Sequence, residues 1–207
     1  MKLRKILGIL SMLALLTGMM SATSATWMTA KARLAQQMLD AAWQNSRALG
    51  RASRPWRWAD MKTVGRLSIP SMNQSLIVLS DASGEAMAFG PGLIAGDPLQ
   101  AETTTLAIGG HRDTHLAFMQ NLRPGARLQL EALDGSSYHY TVMDKQIVDT
   151  RVQSLGIATQ TPGLILVTCY PFNASQTGGP LRMVMRAAYR TSTTPGDRVS
   201  EAQTTDL

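Results

Sequence analysis

Three residues of this chain have side chains that could together transfer an acyl group. Cys169 is the only cysteine among 207 residues and follows an apolar run at residues 164–167, and His111 ends an earlier apolar run. Arg182 lies near the start of the next strand-like segment after the cysteine, at residues 181–189. A thiol at a strand end, with a histidine and an arginine available, is typical of a thiolate nucleophile. Taken alone, such a cysteine is more often a small buried apolar residue. The combination points to an enzyme.

The positive charge is confined to the first part of the chain. The formal net charge is +6. Residues 1–59 carry nine basic side chains and one acidic one, a net charge of +8, which leaves −2 for the remainder. A basic excess beside an apolar segment is typical of membrane orientation and headgroup contact, so nucleic acid is not expected as a partner.

The N-terminus has the features of an export signal. Lys2, Arg4 and Lys5 precede an uncharged stretch from residue 6 to residue 30. Small residues at 22–25 could form a cleavage site, which would remove the signal. The stretch also reaches the roughly 20 residues that cross a bilayer. We therefore favour an uncleaved transmembrane anchor over residues 1–30, with its positive end in the cytoplasm and the main domain outside.

Residues 31–60 are expected to join this anchor to the main domain. From Lys31 to residue 49, apolar side chains recur at helical spacing, with Gly50 as the expected helix end. These apolar positions are Leu34, Met38, Ala41, Ala42 and Leu49. Trp56 and Trp58 then alternate with arginines in a linker. They could lie at the membrane interface or pack on the domain, and the sequence leaves both readings open.

From residue 61 the chain changes to short β-rich runs separated by Gly, Pro, Asn and Asp, which predicts one all-β domain over residues 61–190. The predicted strands span residues 64–69, 75–79, 104–108, 127–132, 138–148, 164–168 and 181–189. Asp134-Gly135 predicts a hairpin turn. A short helix or turn is expected between His111 and Leu122, and residues 191–207 should form a polar tail.

Three segments resemble the active-site segments of sortases: Thr-Leu-Ala-Ile-Gly-Gly-His111, Leu-Val-Thr-Cys169 and Leu-Arg182-Met-Val. The order of histidine, cysteine and arginine matches the family, as does the close spacing of cysteine and arginine. One small departure is Gly109, where such proteins often carry alanine; it leaves the roles of the three residues unchanged.

Within the family, three further segments are similar to the class GN sortases of Gram-negative proteobacteria. They are Gly-His-Arg-Asp-Thr-His115, Thr-Cys-Tyr-Pro-Phe172 and Pro-Trp-Arg-Trp-Ala-Asp60. The resemblance covers most of the chain from about residue 31 to residue 189. It implies a single-pass protein of the inner (cytoplasmic) membrane, with its catalytic domain on the periplasmic side.

The resemblance also implies a fold and an activity. The fold would be a closed β-barrel of about eight strands with short helices. The activity would be a cysteine transpeptidase that needs no cofactor. It would cleave a Leu-Pro-x-Thr-Gly-like C-terminal sorting signal in a membrane-tethered partner protein and pass the acyl group to an amine. Holding enzyme and partner at one membrane would raise their effective concentration.

The three residues can be given chemical roles. Cys169 would supply the sulfur nucleophile, and His111 would protonate the departing amine and later accept a proton from the incoming one. Arg182 would hold the substrate carbonyl or the oxyanion, since its guanidinium is always charged and its donor fork is rigid. No Asp or Asn is evident to orient the imidazole. We therefore expect the cysteine and histidine both to be mostly neutral at rest, which predicts slow turnover.

Seven neighbouring residues are expected to contact the substrate: Thr168, Tyr170, Pro171, Phe172, Arg112, Asp113 and His115. Some have simpler readings. Thr168 could be an ordinary strand residue, and Asp113 could be the cap of a short helix. The glycine-containing loop at residues 176–180 could gate the substrate or be a plain turn. His111 and His115 are four residues apart, but no Glu follows His111 as in a zinc motif, so no metal site is expected.

Three functions of different classes remain open at this point. The first is the membrane-anchored transpeptidase, and the second is a peptidase of the same fold that uses water as the acceptor. The third is a non-catalytic barrel that binds peptides at the cell envelope. Only the non-catalytic barrel predicts an unreactive Cys169. An added amine should divert the product of the transpeptidase but not that of the peptidase.

Overall fold

A computed structural model of the protein describes residues 2–157, 161–174, 176 and 178–190. The polar tail predicted at residues 191–207 lies outside the described residues. The described chain forms one long N-terminal helix followed by a closed β-barrel. The predicted all-β barrel is therefore confirmed.

The N-terminal helix α1 spans Lys2–Leu49 without interruption. It ends where expected, because Gly50 takes a positive φ of 61° that favours glycine. Apolar side chains such as Leu10 and Leu15 are exposed along its first half. Among the described residues, no helix combines the length and the apolar character that crossing a membrane requires.

The second half of α1 packs against the barrel. Leu39, Ala42, Trp43 and Ser46 are buried, and their spacing places them on one helical face. The Ser46 hydroxyl lies 2.7 Å from that of Thr63 in the first strand. The contact face therefore differs from the apolar positions read from the sequence, of which Ala42 alone is fully buried and Leu34 and Leu49 are exposed.

Two salt bridges add to this contact between helix and barrel. Arg47 of α1 pairs with Glu131, and Arg66 approaches Asp40 of α1 at 3.5 Å. All four side chains are at least partly exposed, so each pair contributes little beside the buried face. The last part of α1 is thus fixed to the barrel mainly by apolar packing.

Eight strands form the barrel: β1 (Thr63–Ile69), β2 (Gln74–Leu79), β3 (Gly92–Ala95), β4 (Thr105–Gly109), β5 (Arg127–Ala132), β6 (Ser137–Asp149), β7 (Gly163–Cys169) and β8 (Leu181–Arg190). Their order around the barrel is β1-β2-β3-β4-β7-β8-β6-β5. The seven predicted strands are confirmed to within one residue at each end, and β3 was missed. Gly135 has a φ of 92° at the predicted hairpin between β5 and β6.

The remaining elements are short. Helix α2 spans Gly84–Met87, and 3₁₀ turns span Pro70–Met72, Pro98–Gln100 and Ala117–Gln120. The last of these is the turn expected between His111 and Leu122. It is buried through Phe118 and Met119, which join the barrel core.

β4 and β7 lie next to each other and are parallel. All five residues of β4 are buried, as are all those of β7 except Cys169, which is half-buried. Near-continuous apolar runs are typical of parallel strands covered on both faces. Because the two strands are parallel, their carboxyl ends meet at the same rim of the barrel.

The two tryptophans of the linker have different environments. Trp56 is partly buried and meets Phe89 edge to face, with ring centroids 4.9 Å apart. Trp58 is 80% exposed. Packing on the domain, one of the two readings left open, therefore applies to Trp56 and not to Trp58.

Candidate active site

Strand register brings Cys169, His111 and Arg182 to one rim of the barrel. The last paired residues of β4 and β7 are Gly109 and Val167, and the amide of Gly110 donates to the Val167 carbonyl at 3.2 Å. His111 and Cys169 each follow two residues after that pair. Arg182 lies directly opposite Cys169 in the antiparallel pairing of β7 with β8.

The three side chains are open to a substrate. Cys169 is a free, half-buried cysteine, and His111 is exposed. Arg182 is half-buried, and its Nη1 donates to the carbonyl oxygens of Gly179 at 2.6 Å and Leu181 at 2.9 Å. These bonds fix the guanidinium through one nitrogen, so Nε–H and Nη2–H are the groups that can turn toward a substrate oxygen.

Thr168 ties the strand of the cysteine to the segment of the histidine. Its side chain is buried, and its hydroxyl donates to the Gly110 carbonyl at 2.7 Å. A polar group buried in this way loses much of its stabilisation when its partner is removed. Thr168 therefore helps to hold β7 and β4 together beside the site, rather than lining the cavity described below.

Thr168→Val is expected to destabilise the fold. The valine has nearly the same shape but leaves the Gly110 carbonyl without this donor, which should lower the free energy of unfolding by about 1–3 kcal/mol. Denaturant unfolding measures the loss. Thr103→Val is the control, because the exposed Thr103 hydroxyl also donates to a carbonyl, that of Gln100. Equal losses in the two variants would contradict the role given to Thr168.

A cavity of about 460 Å³ is lined by the residues that follow His111 and Cys169 in the chain, although His111, Cys169 and Arg182 are not themselves among its lining residues. Five of the expected substrate-binding residues line it together with three that the sequence did not suggest: Arg112, Asp113, Tyr170, Pro171 and Phe172, with Ala117, Gln120 and Asn173. Tyr170 and Phe172 meet edge to face at 6.3 Å, and the Tyr170–Pro171 peptide bond is cis. The cavity thus has one wall after β4 and one wall after β7.

His115 lies apart from these residues. It lines a separate groove of about 720 Å³ between α1 and the segment that contains Ala88 and Phe89. Gln36 of α1 donates to the Phe89 carbonyl at 2.9 Å along this groove. The structure therefore places His115 against α1 and not among the residues of the first cavity.

The environment of His115 favours the neutral imidazole. Burial lowers its pKa, and the nearby charge of His111 lowers it further. The carbonyls of Ala88 and Met87 and the charge of Asp113 oppose these effects without cancelling them. His115 is therefore uncharged near neutral pH.

Acid is expected to destabilise the protein partly through His115. Because its pKa is lower in the folded chain than in the unfolded one, the unfolded chain binds the proton more readily, and stability present above about pH 6.5 is lost as the pH falls. Denaturant unfolding at several pH values should show this fall, and His115→Gln should reduce it. His139→Gln, at an exposed position in β6, is the control. An unchanged pH dependence in His115→Gln would contradict the assignment.

Glycine at position 109 packs close to β3. A Cβ placed there would lie 2.9 Å from the Cδ1 atom of Ile94 in β3. An alanine would therefore require the end of this exposed side chain to shift, which costs little. The packing of β3 against β4 does not by itself require glycine here.

Residues 67–190, more than half of the chain, match the family model of the Sortase domain. The chain belongs to the sortase family. Sortase D of Bacillus subtilis (strain 168) is 29% identical over 110 residues, which cover 53% of this chain and 55% of that relative. This match thus spans about half the length of the curated sortase.

Solved sortases share the fold. Sortase A from Corynebacterium diphtheriae has a TM-score of 0.56 at 20% identity, covering 79% of this chain and 86% of that one. Sortase A of Listeria monocytogenes has a TM-score of 0.54 at 20% identity, with coverages of 62% and 88%. Sortase C1 from Streptococcus agalactiae has a TM-score of 0.53 at 22% identity, with coverages of 61% and 67%. At these identities the likeness establishes the sortase barrel.

Proposed function

We propose that this sortase is a cysteine transpeptidase in which Cys169 is the nucleophile. The observation that carries the proposal is the strand register, which sets Arg182 opposite Cys169 and brings His111 to the same rim. A nucleophile, a proton donor and a fixed cation within one accessible rim are the parts that acyl transfer needs.

The proposed reaction has two halves. The Cys169 thiolate attacks the scissile carbonyl, Arg182 stabilises the oxyanion, and His111 gives its proton to the departing amine, which leaves a thioester on the sulfur. An incoming amine then attacks the thioester and gives its proton to His111, and the thiolate departs. No carboxylate is assigned to orient the His111 imidazole, so we expect slow turnover.

The proposed substrate is a membrane-tethered protein with a Leu-Pro-x-Thr-Gly-like C-terminal signal, and the acceptor is an amine of a second molecule. This rests on the family and on the resemblance to class GN sortases. The cavity next to the site supports it, since the aromatic and apolar side chains of residues 170–172 line it together with the charged side chains of Arg112 and Asp113. Such a mixture of apolar and polar walls suits a short peptide.

We further propose that residues 1–30 hold the enzyme at the inner membrane, with the barrel in the periplasm. The support is the sequence pattern of Lys2, Arg4 and Lys5 before an uncharged stretch, together with the exposed apolar side chains of α1. Fractionation of cells that express the full chain, with mass analysis of its N-terminus, tests this. Recovery of an intact chain with the membranes is expected, whereas a shortened periplasmic chain would show that the signal is cleaved.

Peptide cleavage in the presence and absence of an amine tests the proposed activity. The full chain is incubated with a peptide library that contains Leu-Pro-x-Thr-Gly-like signals, and the products are identified by mass. Transfer to added amine is expected. Hydrolysis that the amine does not divert would favour a peptidase, and a Cys169 that is never acylated would favour a peptide-binding barrel.

A further inference from the structure

The guanidinium of Arg112 is bound to the loop that follows Cys169. Its Nη2 donates to the carbonyl oxygens of Ala174 at 2.7 Å and Gln176 at 2.8 Å. Both are charge-assisted hydrogen bonds, which are stronger than those between neutral groups. Arg112 follows directly after His111, so this contact joins the histidine segment to the cysteine loop.

The two walls of the cavity are the two segments that Arg112 joins. One wall consists of residues after β4, including Arg112 itself, and the other consists of residues 170–173. Ala174 and Gln176 follow this wall in the chain but do not line the cavity themselves. The separation of the walls therefore depends on the contact between Arg112 and these two carbonyls.

The far end of the same loop is held by different groups. The backbone amide and hydroxyl of Thr150 donate to the Pro180 carbonyl at 3.1 and 2.9 Å, and Arg182 donates to the Gly179 carbonyl. These contacts lie next to β8. Arg112 thus holds the loop to the segment that follows β4. The contacts at Gly179 and Pro180 hold it only near β8 and cannot take over this role.

We propose that Arg112 is a positioning residue, which shapes the peptide-binding cavity by holding Ala174 and Gln176 against the segment that carries His111. This inference rests on the proposed function, because the cavity is taken to receive the sorting signal. Arg112 acts through the loop and does not contact the acyl group. A preformed cavity lowers the cost of ordering the loop when the peptide binds.

Hydrogen exchange and kinetics on the full chain test this role. In Arg112→Ala, amide exchange at Phe172, Asn173, Ala174 and Gln176 of the free enzyme should rise at least about tenfold, with no change at Val167 and Val184 in the barrel core. KM for a cleaved peptide should rise about tenfold, while kcat stays within about threefold. Arg112→Lys should recover part of both effects, because lysine keeps the charge but lacks the fork.

Arg127→Ala is the matched control. It removes the same charge from an exposed position at the start of β5, on another side of the barrel. It should change neither exchange nor KM. Unchanged loop exchange in Arg112→Ala would overturn the proposal, and a raised KM with unchanged exchange would instead show direct contact of Arg112 with the peptide. Failure of the parent enzyme to cleave any peptide would refute the proposed function, whereas the exchange measurement tests the contact separately.

Discussion

Replacement of Cys169 by alanine is expected to lower peptide cleavage and amine transfer at least about 1,000-fold while the barrel stays folded. The thioester cannot form without the sulfur, so both halves of the reaction should be lost together. Cys169 is half-buried at the end of β7, where loss of one sulfur atom leaves the pairing with β8 intact. Cleavage rates and thermal unfolding of the variant measure the two effects.

A chemical control uses the same residue. Because the chain has a single cysteine, a thiol-directed reagent marks Cys169 alone. Labelling of the parent enzyme should block cleavage, whereas the alanine variant should not be labelled. Cleavage that persists in Cys169→Ala would exclude this cysteine as the nucleophile.

Replacement of Arg182 by alanine is expected to lower kcat/KM for acylation about 100- to 1,000-fold, the loss typical of removing an oxyanion donor. Arg182→Lys should restore only a small part, because an ammonium group cannot hold the Gly179 and Leu181 carbonyls and also reach the substrate through a rigid fork. Single-turnover acylation by the sortase with a fixed peptide is the measurement.

The control for Arg182 lies on the same strand. Arg186 of β8 is exposed and approaches Asp144 at 3.6 Å, so Arg186→Ala removes an equal charge away from the rim. It should leave acylation nearly unchanged. If Arg182→Ala reacted as fast as Arg186→Ala, the oxyanion role would be wrong. Thermal unfolding of both variants shows whether slower acylation reflects the loss of oxyanion stabilisation or a loss of stability caused by the missing loop contacts.

Most of the barrel could be predicted because its strands carry their own signals. β4 and β7 are mostly apolar, and the other predicted strands are bounded by turn residues. β3 was missed because Gly92–Ala95 has only four residues, with one paired residue to β2 and a shifted register to β4. A strand that short is specified by its neighbours rather than by its own pattern.

The contact face of α1 could not be read from its own sequence. Apolar residues occur on several sides of this helix, so spacing alone does not show which side meets the barrel. The face used includes Trp43 and the polar Ser46, whose partner Thr63 is separated from it by the whole linker. Which face of α1 packs against the barrel therefore depends on tertiary contacts.

The sequence was enough to propose His111, Cys169 and Arg182 as one site, and their roles stay a prediction, but the surroundings of the three residues could not be predicted. Their order in the sequence indicated His111, Cys169 and Arg182, whereas their proximity depends on the parallel register of β4 and β7. His115 was grouped with the substrate-binding residues through its nearness in sequence, yet it lines the groove against α1. The partners of Arg112 are backbone carbonyls. Every residue has one, so the sequence does not show which of them Arg112 binds.

The most direct test of the account is the intact mass of the full chain during reaction with a cleavable sorting-signal peptide. The full chain is needed because a barrel starting at Trp56 would lose the buried side chains of Leu39 and Trp43. A mass increase equal to the N-terminal cleavage fragment (as its free acid) less one water, located on Cys169 and discharged by an added amine, is predicted. A peptide that is cleaved with no adduct on Cys169, even when discharge is slowed by omitting the amine, would contradict the thioester mechanism.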